Sequence, residues 1–442
     1  MPKSSWMRIL TAFALVALGG VARAQGPGDT LRLTVEAAIE RAMRENLTYR
    51  ATQQKRESAE ALRWEKIGGF LPTVVANASY NLQPVKNKVK IPTPRGLQEI
   101  ETGNKHSIQA GITATLPLFS MPTIVGYRMS RLEGTLAEEE IAGARVALRE
   151  DVREAFAGLL LAQESYRVME VSVQSARATL ENVRRLRGQG MVAEYDLIRA
   201  QVQVSNLEPL LLQARSGAKT SAMVLRSLLN LPEDQPIAVE GTLRGMAESL
   251  PGEPLDGEPN LGQNAQLRMM RLQEEKLGSQ SEMVKATMYP TLSAVATYGV
   301  QGGDDELKIG DYDWQRSTVY GLRLNVPLFF GFTKIKKNQQ LKIARMQLSL
   351  QREAAERQVR VGASVARSQM QVARQNMASS QQAMELAARG LEIARARYGA
   401  GGGTIFELTD AETEHTKAAL NLNKAIHAYI KASVDYTKAL GR

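Results

Sequence analysis

The sequence lacks cysteine, contains only three histidines and is poor in aromatic residues, which make up 5% of its 442 positions. The absence of cysteine excludes disulfide scaffolds, thiolate metal sites, thiol nucleophiles and lipid anchors on cysteine. The histidines, His106, His415 and His427, leave little for zinc or acid–base chemistry. Beyond the first two dozen residues no apolar run reaches 18 residues, so we expect no helical membrane span in the mature chain. We also expect no metal and no cofactor.

The formal net charge of +10 would suggest a nucleic-acid partner for a cytoplasmic protein. The N-terminus indicates export instead: Lys3 and Arg8 precede an apolar run at residues 9–20, and small residues follow at Ala22 and Ala24. This pattern predicts a cleaved signal peptide, residues 1–24, and the run is too short for a membrane anchor. Cleavage removes three basic residues and lowers the charge to +7. An exported chain does not meet genomic DNA, so no nucleic-acid partner is expected.

The mature chain contains two copies of one sequence pattern. Residues 70–74 recur in pattern at 288–292, and the glycine-rich segment 188–200 recurs 211 positions later, at 399–411. A period this long indicates a tandem duplication of one structural unit. The predicted repeats are residues 31–231 and 261–442. Between them, residues 232–260 form a connector with five prolines and four glycines, in which 237–239 is a candidate short strand.

Each repeat is predicted to run helix, strand, loop, strand, very long helix, glycine-rich turn and long helix. Four segments alternate apolar and polar residues and are predicted as strands: residues 72–83, 105–118, 290–301 and 316–328. Their length suits a membrane barrel, although a soluble antiparallel sheet with one buried face would alternate in the same way. Aromatic residues near the strand ends resemble interfacial girdles and favour the membrane.

One uninterrupted helical segment follows the second strand of each repeat, at residues 122–187 in the first repeat and 331–397 in the second. At 1.5 Å per residue each would be about 100 Å long, which no compact core can cover. Leucine, methionine and many alanines recur along them at spacings of three, four or seven, as in a coiled coil. Turns near 188–195 and 398–404 should then return the chain in antiparallel helices.

Several motifs in a fixed order resemble the TolC-like outer-membrane efflux proteins, also called outer-membrane factors. They are the segment 33–42 followed by Asn46, Leu71-Pro72 at the start of a strand, residues 116–119 at the end of another, and Tyr398-Gly399 leading to Glu407-Leu408. The resemblance implies an α+β membrane protein whose homotrimer shares a 12-stranded barrel, four strands per protomer, above a periplasmic α-barrel. Physics agrees in part, because four strands cannot close a barrel and open edges in lipid are costly.

The resemblance also implies a location, partners and a function. The chain would lie in the outer membrane of a Gram-negative-type cell, in contact with outer-membrane lipid and with most of its mass in the periplasm. It would be a passive exit duct for efflux or type I secretion. A periplasmic adaptor (membrane fusion protein) and an inner-membrane pump of the RND, ABC or MFS type would open it at its periplasmic end. The sequence does not indicate which cargo is exported or which class of pump takes part.

Carried over by motif, the periplasmic gate maps to the second turn. Glu407 and Asp410 would form an acid ring, since three residues apart on a helix share a face. Glu407 also suits a capping box with Thr404 as N-cap, which alone would explain an acid there. Asp196 and Tyr398 map to a latch, although packing in the helical seam explains Tyr398 equally well.

The glycines of the two turns map to the adaptor-docking region: Gly188, Gly190, Gly399, Gly401, Gly402 and Gly403. Gly403 stands where the matching family motif often has arginine, so the resemblance implies a weaker latch and a more pliable turn. Alternatively, Arg395 or Arg397 supplies the cation, or the adaptor needs a slim turn.

Other function classes remain open at this stage. A non-transport periplasmic or surface coiled-coil structural protein is the main alternative, while a general diffusion porin would lack such long helices. No nucleophile elbow, zinc-protease motif or phosphate loop occurs, so no enzyme is expected. An acidic segment contains Asp304, Asp305, Glu306, Asp311 and Asp313. We interpret it as a solvated loop; the alternative interpretation is a calcium site.

Overall fold

The computed structural model describes residues 30–94, 96–250 and 261–439. The predicted signal peptide therefore lies outside the described residues. The first half of the chain contains these elements in order: β1 Leu31–Leu33, α1 Val35–Glu45, α2 Leu47–Gly68, β2 Thr73–Leu82, β3 Asn87–Thr93, β4 Gly96–Thr102, β5 His106–Phe119, α3 Met121–Gly188 and α4 Glu194–Leu228.

The remaining elements repeat much of this order. They are β6 Ile237–Val239, α5 Leu243–Glu248, α6 Ala265–Ala286, β7 Thr291–Asp304, β8 Gln315–Asn325, α7 Thr333–Gly399 and α8 Ile405–Ala439. The four predicted long strands correspond to β2, β5, β7 and β8. Among the described residues, no helix combines the length and hydropathy that a membrane-spanning helix requires.

The four long strands form one antiparallel sheet in the order β2-β5-β7-β8. Adjacent strands align over nearly their whole length, with Ala78 opposite Ala110 and Ala296 opposite Tyr320. Every residue of the two outer strands, β2 and β8, is exposed within the chain. The outer edges of β2 and β8 therefore carry unpaired backbone groups, which in lipid would have to be satisfied by another strand.

The helix α3 has 68 residues and α7 has 67, so each is about 100 Å long at 1.5 Å per residue. Ser120 caps α3, since the N–H of Thr123 donates to its Oγ at 3.4 Å, and Pro122 lies in the first turn, where no N–H partner is needed. The chain thus passes from sheet to helix within two residues of Phe119, and the long helices extend directly from the sheet.

The half of α3 next to the sheet packs against α2 and α6, and the equivalent half of α7 packs against α6. The sequence predicts one helix before the first strand, but the structure has two, because Asn46 interrupts it with extended backbone. Its Oδ1 accepts the N–H of Tyr49 at 2.9 Å and so caps α2, while its Nδ2 donates to the carbonyl of Leu228 at 3.0 Å. Asn264 caps α6 through the N–H of Leu267 at 3.1 Å.

The distal halves of the long helices pair with α4 and α8 as antiparallel hairpins. The ion pair between Arg177 and Glu208, 2.7 Å apart, shows that α3 and α4 run in opposite directions from their turn. The main apolar core lies midway along the helices. Its fully buried members include Phe156, Leu159, Leu225, Leu229, Leu243, Met370 and Ile430.

Short elements cover this middle core. The helix α1 buries Ala38 and Ala42 completely against α3, which explains the small residues of its motif. The strands β1 and β6 pair in parallel, and α5 packs on α8. The connector therefore contains a strand and a helix before residue 250, and its remainder, 251–260, lies outside the described residues.

The segment predicted as a loop between β2 and β5 contains a β-hairpin, β3–β4. Its charged side chains pair across the strands, Lys88 with Glu101 and Lys90 with Glu99. Its proline and its high charge hide the strand pattern in the sequence. Lys86 forms an ion pair with Asp305, which ties the base of this hairpin to the end of β7.

A matched pair of leucine substitutions tests the position of the core. Leu159 is 1% exposed and Leu97, in the β3–β4 hairpin, is 72% exposed. We expect Leu159→Ala to lower the free energy of unfolding by about 2–5 kcal/mol, because it leaves a cavity, and Leu97→Ala to change it by less than about 0.5 kcal/mol. Thermal unfolding followed by circular dichroism measures both. Equal effects would contradict the placement of the core.

Candidate functional site

The free ends of the two helical hairpins meet, and we call residues 172–204 and 391–416, which surround this meeting point, the tip. A small apolar cluster with members from all four helices lies at its centre: Ala176, Leu180, Val183, Ala200, Val204, Leu391, Ile405 and Leu408. This cluster is separate from the middle core. Apolar burial therefore holds the first hairpin against the second at their ends.

Both turns of the tip use the same way of ending a helix. Gly190 follows α3 with a φ of +72°, and Gly401 follows α7 with a φ of +75°. Glycine adopts this left-handed backbone without a Cβ penalty, which is why it recurs at this position. In each turn a backbone N–H donates back to a carbonyl five residues earlier at 2.9 Å, Met191 to Leu186 and Gly402 to Arg397.

Gly403 has a different reason to be glycine. A Cβ at this position would lie 3.1 Å from the backbone nitrogen of Tyr398 and 3.2 Å from the carbonyl carbon of Arg397. The turn is therefore closely packed onto the end of α7, and any side chain at Gly403 would displace it. By contrast, Gly188 and Gly399 are the last residues of their helices, with open space where a Cβ would stand.

Glu407 and Asp410, the predicted acid ring, lie in the first two turns of α8, and both are exposed. The residues between them, Leu408 and Thr409, are buried, so the two acids face away from the packed side of the helix. Thr404 caps α8, because the N–H of Glu407 donates to its Oγ1 at 3.2 Å. Thr404 thus supplies the N-cap half of the capping box, while the carboxylate of Glu407 lies near Arg397, and the acid ring stays a prediction.

Arg397 is the cation that accompanies the second turn. Its Nη1 lies 3.6 Å from Oε2 of Glu407, and its Nη2 donates to the carbonyl of Gly402 at 3.2 Å. Of the two arginines considered as substitutes for the family's usual one, Arg397 contacts the ring acid, whereas Arg395 contacts Glu412 and Ser175. Both partners of the Arg397–Glu407 pair are about half exposed, so the pair contributes little stability.

The predicted latch pair does not form a hydrogen bond in the protomer. Oδ2 of Asp196 accepts the N–H of Ala193 at 3.3 Å, which caps α4. The hydroxyl of Tyr398 is buried and has no hydrogen-bond partner among the described residues. Burial raises the pKa of Tyr398, and the nearby charge of Asp196 raises this pKa further. The ring packs against the apolar cluster of the tip, as the seam interpretation expects.

Sequence reasoning missed the contacts that join α4 to α8. The guanidinium of Arg199 lies 4.3 Å from the ring centroid of Phe406, and its Nε donates to Oγ1 of Thr409 at 3.3 Å. One turn further, Nε2 of Gln203 donates to Oγ1 of Thr413 at 3.0 Å. The only signal in the sequence is the matched spacing of four on both helices, which has no meaning until the two helices are known to be neighbours.

A second missed group surrounds Glu412, which is 7% exposed. Its Oε1 accepts hydrogen bonds from Oγ of Ser175 at 2.7 Å and from Oγ1 of Thr179 at 3.2 Å. Next to it, the hydroxyls of Ser172 and Thr416 lie 2.7 Å apart. These contacts join α3 to α8. The available signal was an acid at the helical spacing of the buried residues Ile405, Leu408, Thr416 and Ala419.

Lysines accompany the acidic segment after β7. Lys86 pairs with Asp305, whose Oδ1 also accepts the N–H of Lys105 at 3.3 Å. Within the described ranges, no group of three or more histidine, aspartate or glutamate side chains is positioned to hold a metal ion. The acids of this segment are bound by lysines or exposed to solvent.

Comparison with known proteins adds a family to this geometry. The profile of the family described as "Outer membrane efflux protein" matches residues 38–231 and 259–442. No curated protein matches the chain.

Among solved structures, the outer membrane protein VceC from Vibrio cholerae is similar with a TM-score of 0.70 and 17% identity, over 92% of this chain and 96% of that one. The CmeC outer membrane channel of Campylobacter jejuni has a TM-score of 0.71 and 17% identity, over 92% of this chain and 85% of that one. A membrane protein from Pseudomonas aeruginosa has a TM-score of 0.73 and 16% identity, over 92% of both chains. At these identities the structures share the fold.

A disulfide tests the contact between the hairpins. Oγ of Ser172 and Oγ1 of Thr416 lie 2.7 Å apart, near the S–S length of about 2.05 Å, and the chain has no other cysteine. We expect Ser172→Cys with Thr416→Cys to lose thiol labelling on mild oxidation and to regain it on reduction. Ser172→Cys with Lys417→Cys is the control, because Lys417 is exposed. Persistent labelling of the first pair would show that α3 and α8 do not meet here.

Proposed function

The chain belongs to the outer membrane efflux protein family, and we propose from this membership that it is the passive exit duct of a tripartite efflux or type I secretion system. As a family member it lies in the outer membrane, with its long helices in the periplasm. The observation that supports the proposal is the direct continuation of a four-stranded sheet with two open edges into helices about 100 Å long.

The duct requires more than one copy of the chain. In lipid, the outer edges of β2 and β8 need strand partners. The simplest arrangement pairs β2 of one protomer with β8 of an identical neighbouring protomer. Three protomers would supply 12 strands, four from each. The two structural repeats, 31–231 and 261–442, would then give each protomer two hairpins around the tunnel. The signal peptide, residues 1–24, would direct the chain to export.

Two partner proteins would act together with the duct. A periplasmic adaptor would dock at the tip, where Gly190 and Gly401 keep the turns slim, and an inner-membrane pump of the RND, ABC or MFS type would supply the energy. The duct itself needs no catalytic residue and no cofactor, because cargo moves through it without a chemical step.

The gate would be set by charge and by contacts between hairpins. In a trimer, Glu407 and Asp410 would place six carboxylates near one constriction and favour cations over anions. The Arg199–Phe406 and Gln203–Thr413 contacts would hold the two hairpins of a protomer together in the closed state. Asp196 and the hydroxyl of Tyr398, which has no hydrogen-bond partner among the described residues, would form their latch bond only after a shift of the turns.

Membrane fractionation distinguishes the duct from a coiled-coil structural protein. We expect the chain in the outer-membrane fraction as a trimer that dissociates on boiling, because the shared barrel satisfies every strand edge. Gel electrophoresis of heated and unheated fractions measures this. A chain found as a periplasmic monomer would support the structural alternative.

Planar-bilayer recordings test the acid ring. Glu407→Gln with Asp410→Asn should lower the cation-to-anion permeability ratio by at least about twofold, because it removes the ring and leaves Arg397 without its partner. Glu414→Gln is the matched control, since Glu414 lies on the same helix and is paired with Lys417. A permeability ratio that is unchanged in the double variant, or lowered equally by the control variant, would contradict the assignment of Glu407 and Asp410 to an acid ring.

A further inference from the structure

The four-stranded sheet has two faces of different chemistry, and its register assigns each residue to one of them. Paired residues of adjacent strands lie on the same face, and successive residues of one strand alternate between the faces. The face that contains Ala78, Ala110, Ala296 and Tyr320 is apolar along the middle of all four strands. In a barrel that crosses a membrane, this apolar face would contact lipid and the other face would line the lumen.

We call the second face the lumen face. It contains the odd-numbered residues of β2, β7 and β8 and those of β5 as far as Pro117. Its side chains are mostly small or polar, and they include Asn77, Ser79, Gln109, Thr113, Ser293, Thr297, Gln301, Gln315 and Ser317. Arg323, near the end of β8, is the one charged side chain on the lumen face of these four strands.

The charge of Arg323 is not neutralised within the chain. Its side chain is exposed, and among the described residues it makes no ion pair and no hydrogen bond. Ser293 lies opposite it on β7, and Pro117 lies opposite Ser293 on β5, so its row across the sheet is otherwise uncharged. Further along the chain, no acid occurs before Glu353. Identical protomers would add no acid to the lumen face either.

The proposed trimer would place three copies of Arg323 at one level of the lumen. The strand β8 ends at Asn325, so this level lies at the end of the barrel that continues into the long helices. The field of such charges reaches about 8 Å into water at physiological ionic strength. Rings of arginine or lysine between neutral walls make pores favour anions. The guanidinium group also binds carboxylate or phosphate through two parallel hydrogen bonds.

This level is far from the proposed acid ring of the tip. The helix α7 separates Arg323 from Glu407 and Asp410 by about 100 Å, which is many times the screening distance. The two sets of charges would therefore act on passing molecules independently.

We propose that Arg323 and its two symmetry copies form a ring that binds the carboxylate or phosphate groups of molecules passing through the barrel. The inference rests on the proposed function, because the ring exists only in a shared barrel. It adds a class of cargo to that function, since the barrel would favour anionic groups. Arg316 is on the same strand, but it lies opposite Val300 on the apolar face and has no part in the ring.

Cysteine substitutions test which face lines the channel. The chain has no other cysteine, and Leu322 and Arg323 are neighbours on opposite faces. In the unheated oligomer in lipid, we expect a membrane-impermeant maleimide to label Arg323→Cys but not Leu322→Cys, and to label both after unfolding. Equal labelling of the two in the unheated oligomer would contradict the shared barrel, and with it the proposed function.

Planar-bilayer recordings test the ring itself. Arg323→Gln should raise the cation-to-anion permeability ratio by at least about twofold, because it removes the positive charges from the lumen. Arg316→Gln is the matched control, since it removes the same charge from the opposite face of the same strand. Only variants that migrate as the unaltered oligomer are compared. A conducting oligomer whose ratio is unchanged in Arg323→Gln, or raised equally in Arg316→Gln, would overturn the ring and leave the proposed function intact.

A pair of matched probes tests anion binding. Trimesate has three carboxylates on one benzene ring, and its reduced form, benzenetrimethanol, is neutral. Added on the barrel side, trimesate should lower the conductance of the unaltered protein in a saturable manner, whereas the neutral probe should not. In Arg323→Gln the apparent affinity for trimesate should fall at least about threefold, because the bidentate partners are lost. Equal block of the unaltered protein and of Arg323→Gln would contradict the site.

Discussion

Unsatisfied backbone hydrogen bonds at the outer edges of β2 and β8 are the constraint on which the rest of the molecule depends. One chain supplies four strands and leaves both edges open, so in the assembly that we propose the strands of other protomers would complete the sheet. The packing of the long helices is also incomplete within one chain. They are too long to surround a core of their own, and they pack in narrow layers instead. The middle core, with α1, α5 and the β1–β6 pair, is where one chain comes nearest to closing on itself.

The two halves of the tip are alike in backbone but differ in charge at the position of Arg199. At the spacing of 211, Arg199 corresponds to Asp410 and Gln201 to Glu412. The first half thus has a cation where the second has an acid, and Arg199 reaches across to Phe406 and Thr409, next to its own counterpart.

Local patterns explain how much of this fold is predictable from sequence. Alternation identified all four sheet strands, and Gly190 and Gly401 marked the turns, because both signals are properties of short segments. The β3–β4 hairpin and the break at Asn46 were missed, since charged strands and a single capping residue leave weak patterns. The contacts of Arg199 and Glu412 depend on which faces of separate helices meet, and no periodicity within one helix contains that information.

Asn46 connects two levels of the structure. Its side chain begins α2, beside the sheet-proximal half of α3, and also donates to Leu228 at the end of α4, whose other end lies at the tip. One side chain thus joins the end of the helix that comes from the tip to the start of the helix that leads into the first long strand.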